Sequence, residues 1–360
     1  MTSRVRYRRT PCVISYWDDA ALIYTNYATG TSITAEPLTS EILHFFDRWR
    51  TVEELIARYS DYTSASLRTA VSVLERHSFL VGSHSRVDPR INAMAGWRGW
   101  NPAAGFFHAT TKDVRFAKNQ DEADEILDRK AEADPMPAPV KRYRRARQIR
   151  LPPINAQGQF PSVLFERRTW REFARAPITA QDLATLLGVT WGVRYWMDAP
   201  PNGRLALKTS PSGGALHPIE VYLYARRVQG VRPGLYHYSP DRHRLELIRA
   251  GARPRQMANY LPAQPWFHPA PALLLMTAVF PRTQWKYEFP RAYRVVLAEA
   301  GHLCQTFCLT ATWLGLAPFC TMALADSRIE KDLGIDGITE SVLYAAGVGI
   351  RPAGAGFPRL

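Results

Sequence analysis

The stretch "RAYRVVLAEAGHLCQTFCLTATWLGL", residues 291–316, decides the architecture, because it reads either as a membrane span or as the axis of a folded core. From Ala300 to Ala325 there is no Asp, Glu, Lys or Arg, and a run of that length reaches across a bilayer. His302, Gln305, several threonines, Gly315 and Pro318 interrupt it, however, and mean hydropathy over the chain is −0.24. The reading is therefore a long helix buried in a soluble core, followed by a turn and a strand.

Working outward, the neighbouring segments read as strands. "IEVYLYAR", "GLYHYSPDRHRLELI" and "PALLLMTAVF" precede the helix, and "SVLYAAGVGI" follows it and ends at Arg351. "ITAQDLATLLGVTWGV" sets Thr179 and Asp182 at capping spacing, with Leu183, Leu186 and Leu187 on a core face. The order implies an α+β domain over residues 151–360, a mixed sheet around the long helix. Regular βαβ alternation is missing, as are G-x-G-x-x-G and G-x-x-x-x-G-K-[ST], which argues against Rossmann-type dinucleotide and Walker-type phosphate sites.

Residues 1–85 read as a separate small module. "CVISYW" and "ALIYTNY" form two strands joined at Asp18-Asp19. Leu38, Ile42, Phe45, Phe46 and Trp49 then fall at helical spacing, Thr51 and Glu54 make a capping box, and Leu67, Val71 and Leu74 share a third helical face ahead of a strand at Phe79 to Val81. The outline is winged-helix. Only Arg68 and Arg76 are basic on the third helix, which is thin for DNA and leaves peptide capture or a structural role. Residues 86–150 read as a charged, proline-bearing connector, with aromatics near its start that pack on the following domain.

The net charge is +14 with a pI near 9.8, which favours an anionic partner. Much of it is local to "KRYRRARQIR", residues 141–150, best taken as solvated linker. Four cysteines cannot make a disulfide framework for 360 residues, and the basic N-terminus lacks a continuous apolar region, so a cytoplasmic protein is expected. Cys304 and Cys308 lie four apart with His302 nearby, but no second Cys/His pair completes a tetrahedral shell. They are read as core thiols and no metal is expected.

Two stretches carry chemistry. "ERRTWREF" offers Arg167, Arg168, Thr169 and Arg171, guanidinium and hydroxyl groups suited to a phosphate, with Arg351 a further candidate. "TSPSGGALHP", residues 209–218, is small and open enough for a phosphate, a flat ring or an idle turn, and His217 is left even between a structural and a ligand-edge role. Taken together, R-R-[ST]-x-R-x-F, P-S-G-G-A-L-x-P, "LYHYSPDRHRLELI" and "WKYEFPRAYRVVLAEAGHLCQTFCLTATWLGLAPFC" resemble the SagB-type or McbC-like dehydrogenases of the nitroreductase superfamily over residues 151–350. The N-terminal module resembles PqqD-like peptide-binding domains in pattern alone.

That resemblance implies a homodimer with FMN at the subunit interface. Arg167, Arg168, Thr169 and Arg171 would hold the phosphate and ribityl chain, Arg351 would add to them, and Pro211, Ser212, Gly213 and Gly214 would lie against the isoalloxazine. Lys286 and Tyr287 occupy the place of a Lys-Tyr pair tied to catalysis. The implied reaction is oxidation of thiazoline or oxazoline rings to thiazole or oxazole in a modified peptide, reached through a leader, with a cyclodehydratase as a candidate partner. Two alternatives stay open: an NAD(P)H-dependent nitro- or quinone reductase on the same fold, and a flavin-sensing DNA-binding regulator.

Overall fold

A computed structural model describes residues 5–133, 139, 141, 150–154, 156–199, 203–253 and 255–354. Most of the basic stretch at 141–150 lies outside the described residues. The chain forms two compact units. One holds residues 1–112, 279–296 and 334–341, and the other holds 113–278, 297–333 and 342–360.

In the first unit, strands β1 (Arg6–Arg9), β2 (Val13–Asp18), β3 (Ala21–Asn26) and β4 (Thr31–Ala35) precede helix α1 (Pro37–Phe45). Then come β5 (Arg50–Thr51), α2 (Val52–Arg58), α3 (Ser64–Arg76) and β6 (Leu80–Gly82). Strands β2, β3 and β4 form an antiparallel meander, whose first turn is made by Asp19 at φ 49°. The other three pair in the order β5-β1-β6. Thr51 and Glu54 close the capping box, each bonding the other's backbone amide, and Thr63 caps α3 through the Ser66 amide. These local signals fix the helix starts, and the faces that follow bury Ile42, Leu43, Phe46, Leu55, Leu67, Val71 and Leu74 in one cluster. Each such side chain contributes about 1.5–3 kcal/mol on burial. Strands β2, β3 and β6 and the three helices of this small N-terminal region lie where the sequence places them. Arg68 pairs with Glu53 at 3.1 Å, which further thins the basic face of α3.

Residues read from sequence as the start of a connector fold here as α4 (Pro89–Ala95) and α5 (Ala103–Thr110). Trp97 and Trp100 lie between them, both buried, and pack with Phe280 and Tyr293. Trp97 stands 4.9 Å from the Phe280 ring and its indole nitrogen donates to the Ile338 carbonyl at 3.1 Å.

The second unit contains α6 (Gln120–Ala133), α7 (Gln159–Glu166), α8 (Ala180–Thr190) and a hairpin of β7 (Tyr195–Asp198) and β8 (Arg204–Leu207). Strands β9 (Ile219–Ala225), β10 (Gly234–Ser239) and β11 (Arg244–Ala250) follow, then α9 (Gln256–Tyr260) and β12 (Ala272–Val279). α10 (Phe280–Lys286) and the first residues of the long helix α11 (Ala292–Trp313) belong to the first unit; in the second, α11 leads to β13 (Leu316–Thr321), α12 (Asp326–Leu333) and β14 (Glu340–Ile350). Six strands form one sheet in the order β11-β10-β9-β12-β14-β13. β9 and β12, apolar but for Glu220 and Thr277, are buried along almost their whole length. The mixed α+β architecture is the one expected. No helix among the described residues is long and apolar enough to cross a membrane.

Candidate functional site

The loop at 209–218 is held to α11 by a ladder of side-chain bonds. Thr209 donates from its hydroxyl to the Val189 carbonyl on α8 at 2.6 Å. Ser210 Oγ lies 2.7 Å from Thr306 Oγ1, His302 Nδ1 lies 3.3 Å from the Pro211 carbonyl, and Ser212 Oγ donates to Glu299 Oε2 at 2.5 Å. Positions 299, 302 and 306 share one face of a 3.6-residue helix, so loop and helix run side by side in opposite directions. Ser212 Oγ also accepts the His217 amide at 3.0 Å, closing the loop on itself.

Inside this clasp the backbone turns sharply. Gly214 sits at φ 67°, and Ala215 and His217 at φ 56° and 43°, left-handed values that side chains other than glycine rarely adopt. Strain of this kind persists where surrounding bonds fix it, as the Ser212 and Glu299 contacts do here. Glu299 is 2% exposed; its second oxygen, Oε1, makes no hydrogen bond, and His217 Nδ1 is 3.6 Å away. A buried carboxylate oxygen in that state suits a ligand that brings an N–H or O–H.

The arginine segment lies at the other end of α11. Trp170 donates its amide to the Pro318 carbonyl and Ala174 to the Ile350 carbonyl, both at 2.9 Å, so the segment runs along β13 and the end of β14. Phe173 packs where a Cβ on Gly349 would meet its ring at 2.5 Å, which requires glycine there. Arg351 thereby comes beside this segment, 5.4 Å from the Trp170 ring, with its guanidinium donating to the Leu316 and Thr312 carbonyls at 3.0 and 3.2 Å. Arg168 donates to the Phe165 and Arg167 carbonyls at 2.7 and 2.8 Å. Arg167 and Thr169 are half-buried and Arg171 is exposed. Arg167, Arg171 and the Thr169 hydroxyl are groups that could hold a phosphate, and the left-handed glycine turn beside the Glu299 oxygen that has no hydrogen bond could lie against a flat ligand.

Lys286 and Tyr287 belong to the first unit, at the C-terminal end of α10. Lys286 is exposed, Tyr287 is half-buried, and the ammonium lies 5.7 Å from the Tyr287 ring centroid. The Trp100 indole donates to the Tyr287 carbonyl at 2.7 Å, and a Cβ on Gly99 would come within 2.0 Å of the Glu288 carbonyl, so this turn is fixed by close backbone approach. Beside it opens a pocket of about 330 Å³ lined by Trp97, Arg98, Trp100, Gln284, Trp285 and Glu288. The buried amide nitrogen of Gln284 makes no hydrogen bond.

Glu299, His302, Thr306 and Trp100 were not singled out from sequence as site residues. The signal for the first three is their common helix face, visible only once the loop that pairs with it is known. A further cluster joins Cys304 and Cys308 to Cys320 on β13, with the three sulfurs within 4.8 Å of one another. Donation from the Cys304 and Cys308 thiols, helped by the Tyr344 hydroxyl and Arg167, holds Cys320 well below the ordinary thiol range, while the same hydrogen bonds push Cys304 up.

Comparison with known proteins places this geometry. The nitroreductase family profile matches residues 164–350. A protein of Methanocaldococcus jannaschii named as a nitroreductase is 34% identical over 188 residues, 52% of this chain and 90% of that one. The trifolitoxin-processing protein TfxB of Rhizobium leguminosarum bv. trifolii is 33% identical over 142 residues, and the microcin B17-processing protein McbC of Escherichia coli is 30% identical over 137. These matches cover 38% and 35% of this chain, and 38% and 48% of the two relatives, less than half of each. The E. coli microcin synthetase McbBCD complex with bound truncated pro-MccB17 shares the fold, at 21% identity and TM-score 0.50 over 74% of this chain and 95% of the other. The chain belongs to the nitroreductase family.

Proposed function

We propose that this chain is an FMN-dependent dehydrogenase that oxidises thiazoline or oxazoline rings of a modified peptide to thiazole or oxazole. The observation that carries the reading is the clasped glycine loop, with a strained turn on one side and a buried, unsatisfied Glu299 oxygen behind it. Family members typically bind flavin. TfxB and McbC, whose names describe the processing of trifolitoxin and microcin B17, support a peptide substrate.

In this reading Arg167, Arg168, Thr169, Arg171 and Arg351 hold the phosphate, and Pro211, Ser212, Gly213 and Gly214 lie against the ring. FMN held there would supply the two-electron redox chemistry. Lys286 takes the acidic proton from the ring Cα and Tyr287 relays it. Lys286 is exposed, so a bound peptide can reach it; as in related enzymes of this fold, a homodimer is the proposed assembly. The winged-helix module would hold a leader segment, and a cyclodehydratase would form the azoline beforehand.

The test is to incubate purified protein, loaded with FMN, with a thiazoline peptide under air. Oxygen consumption with loss of two hydrogens from the peptide supports the assignment. Rapid bleaching of the yellow protein by NADPH, with the peptide unchanged, would instead establish the nitro- or quinone-reductase reading that the M. jannaschii relative favours.

A further inference from the structure

We infer that Cys304, Cys308 and Cys320 form a binding site for a thiophilic divalent metal ion of the zinc class. Cys304 and Cys308 project one turn apart from α11, and β13, returning beside the helix, brings in Cys320 so that all three sulfurs lie within 4.8 Å of one another. Metal–sulfur bonds of about 2.3 Å require ligand sulfurs roughly 3.8–4.0 Å apart, so the set closes on an ion with small side-chain adjustments. The Tyr344 hydroxyl donates to Cys320 Sγ at 3.5 Å, an outer hydrogen bond of the kind that orients a metal-bound thiolate. Three thiolates around a divalent ion leave one net negative charge, and Arg167 is close enough for its positive charge to act on Cys308 and Cys320. Cys304 and Cys308 are 3% and 4% exposed, whereas Cys320 and Tyr344 are half-buried, so the strand side is the more accessible to an ion. Sequence spacing offered two of the three thiols and hid the third, which arrives across a helix-to-strand turn. The inference stands apart from the redox reading.

The test uses the full chain, reduced and kept anaerobic, titrated with cadmium while the ultraviolet sulfur-to-cadmium charge-transfer band is followed. One ion per chain is expected, displaced by excess zinc. Cys320→Ser should weaken binding by more than about tenfold, and Tyr344→Phe by about tenfold, the usual effect of losing a second-shell partner. Cys12→Ser, which alters a buried cysteine outside the cluster, should bind as the parent does. Absence of the band in the parent chain would overturn the site whatever the variants do, and so would an equally tight band in Cys320→Ser. Should Cys320→Ser fail to fold, unchanged binding in Tyr344→Phe together with loss of the band in Cys12→Ser would also overturn it.

Discussion

The glycine loop and the Lys286-Tyr287 turn are both small segments fixed with precision, but by opposite means. The loop is held chiefly through its side chains, by Ser210 and Ser212 bonded to Thr306 and Glu299. The turn is held through its backbone, by the Trp100 indole on the Tyr287 carbonyl and by Gly99 against Glu288, while Lys286 is exposed. A cofactor wall needs bare backbone in a fixed place; a proton-handling pair needs side chains that substrate can reach. In the proposed reading the loop meets a cofactor that stays and the turn meets a substrate that comes and goes.

Several substitutions would break that contrast. The largest effect is expected for Lys286→Ala, a fall of about 10²–10⁴ in kcat with FMN content unchanged, since a proton-transfer group contributes on that scale; steady-state rates and the flavin spectrum check both halves. Next is the pH response of the cluster that holds the turn. Burial pushes the pKa of His108 down to about 4, so the ring is neutral in the fold, donating from Nε2 to the Gly337 carbonyl and accepting at Nδ1 from the Tyr293 hydroxyl, each at 2.9 Å. The unfolded chain binds this proton near pH 6.5 and the folded chain only near 4. Stability is therefore complete above about 6.5, falls as pH drops toward 4 by up to about 3 kcal/mol, and is flat below. Denaturant unfolding at stepped pH should show that slope, and His108→Gln should lose it.

Glu299→Ala, which removes the acceptor of Ser212, should cost about 1–3 kcal/mol and release FMN. Retained flavin with an unshifted midpoint would place the clasp outside the cofactor site. Trp100→Phe keeps the aromatic packing but removes the donor to Tyr287, a loss of about 1 kcal/mol; if the contrast is sound, kcat falls while flavin content holds. The smallest change, about 1 kcal/mol or less in thermal unfolding and none in flavin content, is expected for Thr51→Ala at the α2 cap.

How much of this was legible follows the range of each signal. Caps at Thr51 and Thr179 and the apolar run of β12 act within a few residues, and each is found where sequence puts it. The helix beginning near Ala292 was readable because the polar interruptions ruled out a span. Glu299, in contrast, looked like one acidic residue on a helix, because its partner Ser212 is 87 positions away. Trp97 and Trp100 read as generic packing for the same reason: their bonds go to Ile338 and Tyr287. Cys320 carried no pattern with Cys304 at all until the strand turned back. Chemistry-bearing types could be named from sequence, while the groups that hold them in place were fixed only by the fold.

The measurement closest to the central claim is anaerobic mixing of the FMN-loaded chain with a thiazoline peptide, followed by the flavin's visible absorbance and by mass spectrometry of the peptide. The account predicts that the yellow colour bleaches with the peptide as sole reductant, and that the peptide loses two hydrogens. Colour that persists with peptide yet vanishes on adding NADPH would contradict it.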